Sequence, residues 1–170
     1  MVKRWLAVLI VCLGAFLIIL AFSFSLYQHR LNQINPAPLP NELAGLSLNN
    51  ETSGQPALAE LSWMHGQEFQ LNQGAVGSYG ANNEIKLYIA GTPFSFMAGR
   101  MINDMRDKIA WSDTPFTPVT EKVYGQRTVY KLNGLGQEHN YFQSGNLVIW
   151  LATDEELTEA ALSQALDYYP

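Results

Sequence analysis

The residues able to do acid–base chemistry are few: three histidines, His29, His65 and His139, among scattered Ser, Asp and Glu. A Ser-His-Asp triad needs a base held against its nucleophile, and no local context selects such a set here. The sequence holds no GxSxG, HExxH, P-loop or GxGxxG signature. The chain therefore reads as no enzyme, and no catalytic residue is assigned. His65 stands before Gly66 at the end of an expected helix, where an imidazole meets the last carbonyls and the helix dipole. Gln137, His139 and Tyr141 alternate with Glu138, Asn140 and Phe142, so the first three share one face of an expected strand. Such a polar face is ordinarily solvated. The alternative is the floor of a ligand groove formed by Gln137, His139 and Tyr141.

Met97, Met101 and Met105 recur at i, i+4 and i+8. Thioethers with imidazole suit Cu(I), but Phe94, Ala98, Ile102 and Ile109 fall on the same face, and methionines in that company fill a core. No metal site and no cofactor follows. Trp111 and Phe116 sit in WSDTPFTP, a stretch punctuated by Pro115 and Pro118. Large apolar residues on a proline-rich loop are a candidate contact for a protein partner.

The element that positions all of these is the stretch from Trp5 to Tyr27, which has 23 residues and no charge. At about 1.5 Å per residue it spans about 34 Å as a helix, enough for a hydrocarbon core of about 30 Å. A helix satisfies its own backbone in lipid, and Trp5 and Tyr27 suit the two interfaces. Lys3 and Arg4 precede it, which favours a cytoplasmic N-terminus and a single-pass signal-anchor in the cytoplasmic membrane. A cleaved signal peptide, cut after Ala21-Phe22-Ser23, is the alternative; its apolar region would be unusually long. Cys12, the one cysteine, falls inside this stretch, so no intrachain disulfide forms. Residues 1–4 then make a cytoplasmic tail too short for a regulatory domain.

All fifteen acidic residues lie after Arg30, against seven Lys and Arg, which leaves that part at −8. Such a surface repels phosphate backbones, so nucleic acid is excluded as a partner. Residues 28–53 read as a linker because Pro36, Pro38 and Pro40 alternate and favour a stiff, extended spacer. Residues 54–170 read as one extracytoplasmic domain. Helices are expected at 56–65, from Thr92-Pro93 through Ile109, and after Thr153-x-x-Glu156, a capping box. Strands are expected at 68–72, 75–79, 84–90, 119–124, 127–132, 138–142 and 147–152. The order of signals repeats: Gly66-Gln67 and Gly125-Gln126 each lead through Leu-Asn and a tyrosine to an apolar strand and a helix. The expected fold is α+β: an N-terminal transmembrane helix, then an antiparallel sheet with helices packed on one face, as two βββα repeats.

The ending SGNLVIWLATDEELTEAALSQAL resembles the last strand and helix of small extracytoplasmic domains on bacterial single-pass membrane proteins and lipoproteins. That resemblance implies a bacterial source and a βββα-type domain. The sequence as a whole predicts a bilayer-anchored domain that binds a protein partner in or at the membrane, as an accessory subunit of a larger complex. A ligand-binding or sensing module is the alternative.

Overall fold

A computed structural model describes residues 2–64 and 69–170, in two compact units, 1–33 and 34–170. The first unit is helix α1, Val2–Asn32. Within it, Trp5–His29 is long and apolar enough to cross a membrane, with a mean hydropathy of 3.0. Its apolar side chains are exposed all round, and a helix apolar on every side needs lipid or a protein interior around it.

The second unit contains β1 (Asn35–Pro36), β2 (Glu42–Leu43), β3 (Leu46–Ser53), α2 (Gln55–Met64), β4 (Gln73–Tyr79), β5 (Ile85–Gly91) and α3 (Ser95–Trp111). It continues with β6 (Phe116–Tyr124), β7 (Arg127–Gly134), β8 (Gln137–Ser144), β9 (Leu147–Thr153), a 3₁₀ turn at Glu155–Leu157 and α4 (Thr158–Tyr168). The nine strands among the described residues form one sheet in the order β2-β3-β4-β5-β9-β8-β7-β6, with β1 added in parallel beside β4. Every other pairing is antiparallel. The α+β class and the antiparallel sheet agree with the sequence-based expectation.

The helices depart from it, because they occupy both faces. On β5, Ile85, Leu87 and Ile89 pack with Ala161, Leu162, Ala165 and Leu166 of α4. The alternate residues of the sheet, among them Ala90, Leu132, Tyr141 and Val148, pack with Leu61 of α2 and with Ala98, Met101, Ile102 and Met105 of α3. Both faces of the central strands are therefore covered. β3-β4-β5-α3 and β7-β8-β9-α4 do run in parallel order and meet at the β5–β9 ladder. Helices on opposite faces break the symmetry that two equivalent repeats would have.

The expected linker, 28–53, also differs: it carries β1, β2 and β3, and β3 pairs along β4. Its prolines lack N–H donors, and tyrosine hydroxyls bond the carbonyls of 38–40. The Tyr79 hydroxyl donates to Pro40 O at 2.9 Å, Tyr169 to Pro38 O at 2.7 Å and Tyr168 to Leu39 O at 3.3 Å. Ala37 and Leu43 are buried in consequence. A stretch with the composition of a spacer is thus strapped to the domain.

Smaller differences have local causes. The expected strand 68–72 is absent over residues 69–72, and β4 begins at Gln73, paired with Gly91. Gly74 lets α2 come close there, since a Cβ would lie 3.1 Å from Leu58. Thr92 does not cap α3; its hydroxyl bonds the carbonyls of Phe94 and Asn146, and α3 starts three residues later. Thr153 does not open a capping box either: its hydroxyl meets that of Thr158 at 2.7 Å, across the 3₁₀ turn. His65, Gly66 and Gln67 lie outside the described residues.

Candidate cavity between α3 and the sheet

The α3 face is not closed. Between that helix and the strands lies a cavity of about 600 Å³, within the ~300–1,000 Å³ typical of small-molecule sites. Its floor is Lys86, Tyr88 and Ala90 of β5, Val148, Trp150 and Ala152 of β9, and Gln137 and His139 of β8. These are alternate residues on three adjacent strands, so the pleat turns them to one side. Met101, Met105 and Ile109 form an apolar roof with Asp104 and Lys108. Leu61, Met64 and Phe69 close one wall; Thr114, Pro115, Phe116 and Leu135 close another.

An aromatic row crosses the floor. Tyr88, Trp150, Tyr141 and Tyr130 stand opposite one another on β5, β9, β8 and β7. Tyr130 and Tyr141 stack at 4.9 Å, and Tyr141 and Trp150 at 5.3 Å. Such pairs add about 0.5–1.5 kcal/mol beyond the area they bury. Phe116 meets the row edge-on, 5.2 Å from Trp150 and 4.9 Å from His139. The ring stack and its neighbours form a continuous aromatic wall.

His139 is fully committed within it. Trp150 Nε1–H donates to His139 Nδ1 at 3.1 Å, so the other ring nitrogen, Nε2, bears the hydrogen and donates to Gly134 O at 2.9 Å. Burial pushes its pKa below the ordinary value, partly offset by the Gly134 carbonyl. The imidazole is therefore a neutral bolt between β9 and the β7–β8 turn, with neither nitrogen left for a substrate. Gln137 is likewise engaged: its amide donates to Asp154 Oδ1 at 3.2 Å and Glu84 O at 3.4 Å.

The structure brings Gln137, His139 and Phe116 together in the lining. Tyr141 does not join them; it is buried behind Trp150 in the ring stack, where desolvation raises its pKa. Trp111 also stays apart, 88 % exposed at the end of α3. Phe116 belongs to β6, so the expected loop from Trp111 to Pro118 is shorter and its two aromatics part company. Of the methionine stripe, Met101 and Met105 are buried and line the cavity, joined by Met64. No group of three His, Cys, Asp or Glu side chains that could hold a metal ion occurs among the described residues.

Lys86, Tyr88 and Trp150 were missed by sequence reasoning. The alternation of 84–90 places Lys86 and Tyr88 opposite Ile85, Leu87 and Ile89, which reads as the solvated face. The available signal was Trp150, a large ring on the supposedly outer face of an equally apolar strand. No protein family, curated protein or solved structure matches the chain.

Proposed function

We propose that this protein is a membrane-anchored binding module whose cavity between α3 and the sheet takes a small, largely apolar molecule. The observation that carries this reading is the cavity itself: about 600 Å³, with apolar and aromatic lining and a few fixed polar groups. The membrane anchor rests on Trp5–His29. The basic residues before it favour a single pass with the domain outside the cytoplasm, and the resemblance of the last strand and helix favours a bacterial inner membrane. The role proposed is binding: the imidazole in the lining, His139, has both nitrogens engaged.

The test is native mass spectrometry of the full chain purified from its own membranes. A molecule retained at one per chain is expected, and it should be lost in Ala152→Phe, which fills the floor. A chain that carries nothing, and whose Ala152→Phe form has unchanged thermal stability in native membranes, would sink the reading.

A second reading is favoured by Trp63, Phe96 and Trp111, each more than 70 % exposed outside α1. Here the domain docks a protein partner at the membrane, as an accessory subunit. Stoichiometric co-purification of fixed membrane proteins, lost on replacing Trp111 by Ser, would support it.

A further inference from the structure

The charge of the cavity runs against that of the protein. The chain after α1 has seven basic and fifteen acidic residues. The lining has two lysines, Lys86 and Lys108, and one carboxylate, Asp104. Asp104 is itself paired with Arg100, at 3.7 Å. The described lining thus has more lysines than carboxylates, against the balance of the domain as a whole.

Lys86 is the informative residue. It stands in the floor between Ser78 and Ala152 on the flanking strands, half-buried. It makes no ion pair among the described residues. Of the acids near it in sequence and ladder, Glu84 accepts from the Asn82 backbone N–H at 2.9 Å, and Asp154 accepts from Gln137. Lys86 shares the lining with Tyr88, Ala152 and apolar neighbours, so an anion entering the cavity would meet a positive charge beside an apolar wall.

We infer that the cavity binds a monoanionic, single-chain amphiphile, with its acid group at Lys86 and its chain along the Trp150 and Met105 walls. This deepens the binding reading above and rests on it. Charge complementarity selects the head, and the apolar lining selects the tail.

The experiment uses the full chain in phosphatidylcholine nanodiscs, with Trp5, Trp63 and Trp111 replaced by Phe so that Trp150 alone fluoresces. The probes are 11-bromoundecanoate and the uncharged 11-bromoundecanol, whose bromine quenches a nearby indole. The carboxylate is expected to quench Trp150 at about tenfold lower concentration, a ratio that corresponds to about 1.4 kcal/mol. Lys86→Met, which keeps the apolar stem, should erase that preference and leave quenching by the alcohol. Equal quenching by both probes in the unmodified floor would overturn the charge-selective inference and leave the binding reading standing. Quenching by neither would overturn both. Nanodiscs loaded with a two-chain anionic phospholipid, if they displaced the bromo acid as well as free undecanoate does, would overturn the single-chain assignment.

Discussion

The two faces of the sheet are built from similar elements and end differently. On one, α4 presents Ala161 and Ala165 between leucines, and it closes on Ile85, Leu87, Ile149, Leu151 and Phe142, all buried. On the other, α3 presents Met101 and Met105 over a floor where alanines, Ala90 and Ala152, lie beside Tyr88 and Trp150. Small residues on the helix let it approach the strands. Small residues on the strands, beside rings that prop the helix, leave a hollow. The same alternation that makes β5 and β9 apolar on both sides thus yields a core on one side and a site on the other.

The sharpest way to break this contrast is truncation. Leu151→Ala, on the closed face, should cost about 2–5 kcal/mol, because the packed surroundings cannot collapse into the gap. Met105→Ala, beside the existing cavity, should fall at or below about 2 kcal/mol, the low end of that range. Denaturant unfolding of the domain in nanodiscs reads both. Equal losses would mean that α3 is as tightly packed as α4.

Enlargement probes the opposite direction. Ala165→Leu has no room and should destabilise by about 1–3 kcal/mol. Ala152→Leu points into the hollow and should cost less than about 1 kcal/mol, while it weakens retention of any bound molecule. If Ala152→Leu proved the more damaging, the cavity would not be the space that its lining describes.

A third contrast is in pH. His139, on the open face, is held neutral by burial, with a pKa below its ordinary 6.5. Above pH 6.5 it is neutral whether the chain is folded or not. As pH falls below 6.5 the unfolded chain takes up the proton first, so stability declines by up to ~1.4 kcal/mol per unit until the folded pKa is passed. Thermal midpoints between pH 7 and 5 should therefore fall more steeply for the natural chain than for His139→Phe, even if the variant is less stable throughout. Parallel slopes would show that His139 titrates as freely folded as unfolded.

Much of the fold was legible because periodicity reports burial. The stripe Ala98, Met101, Ile102, Met105 and the alternation of Ile85, Leu87, Ile89 each have one clear partner surface. The two-sided helix arrangement was not legible. Periodicity says that Tyr88 and Trp150 lie opposite Leu87 and Leu151, and is silent on whether water or a helix covers them. The strap of 35–43 was hidden for a related reason: its order comes from carbonyls bonded by Tyr79, Tyr168 and Tyr169, which are distant in sequence. In the cavity lining, Gln137 and His139 were within reach from the alternation of 137–142, whereas Phe116 read as a partner contact on a loop and not as part of the groove. Lys86 was not, since a lysine on an alternating strand normally signals solvent.

The smallest expected effect tests whether the closed face is closed by packing alone. Asn140 lies on that face, 1 % exposed, and its amide nitrogen has no acceptor among the described residues. It borders a gap of about 110 Å³ whose lining includes Val129 and Leu162 as well as Lys131, Thr158 and Glu159. An unmade hydrogen bond in such a place destabilises, and an apolar group of similar shape removes the penalty. Asn140→Leu should therefore be neutral or stabilising by up to about 1 kcal/mol, measured by the denaturant midpoint at constant m-value. A loss above ~1 kcal/mol would mean that the amide is bonded in solution. The α4 side would then owe its order to a polar contact, and the division between a packed face and a hollow one would be less complete than the side chains imply.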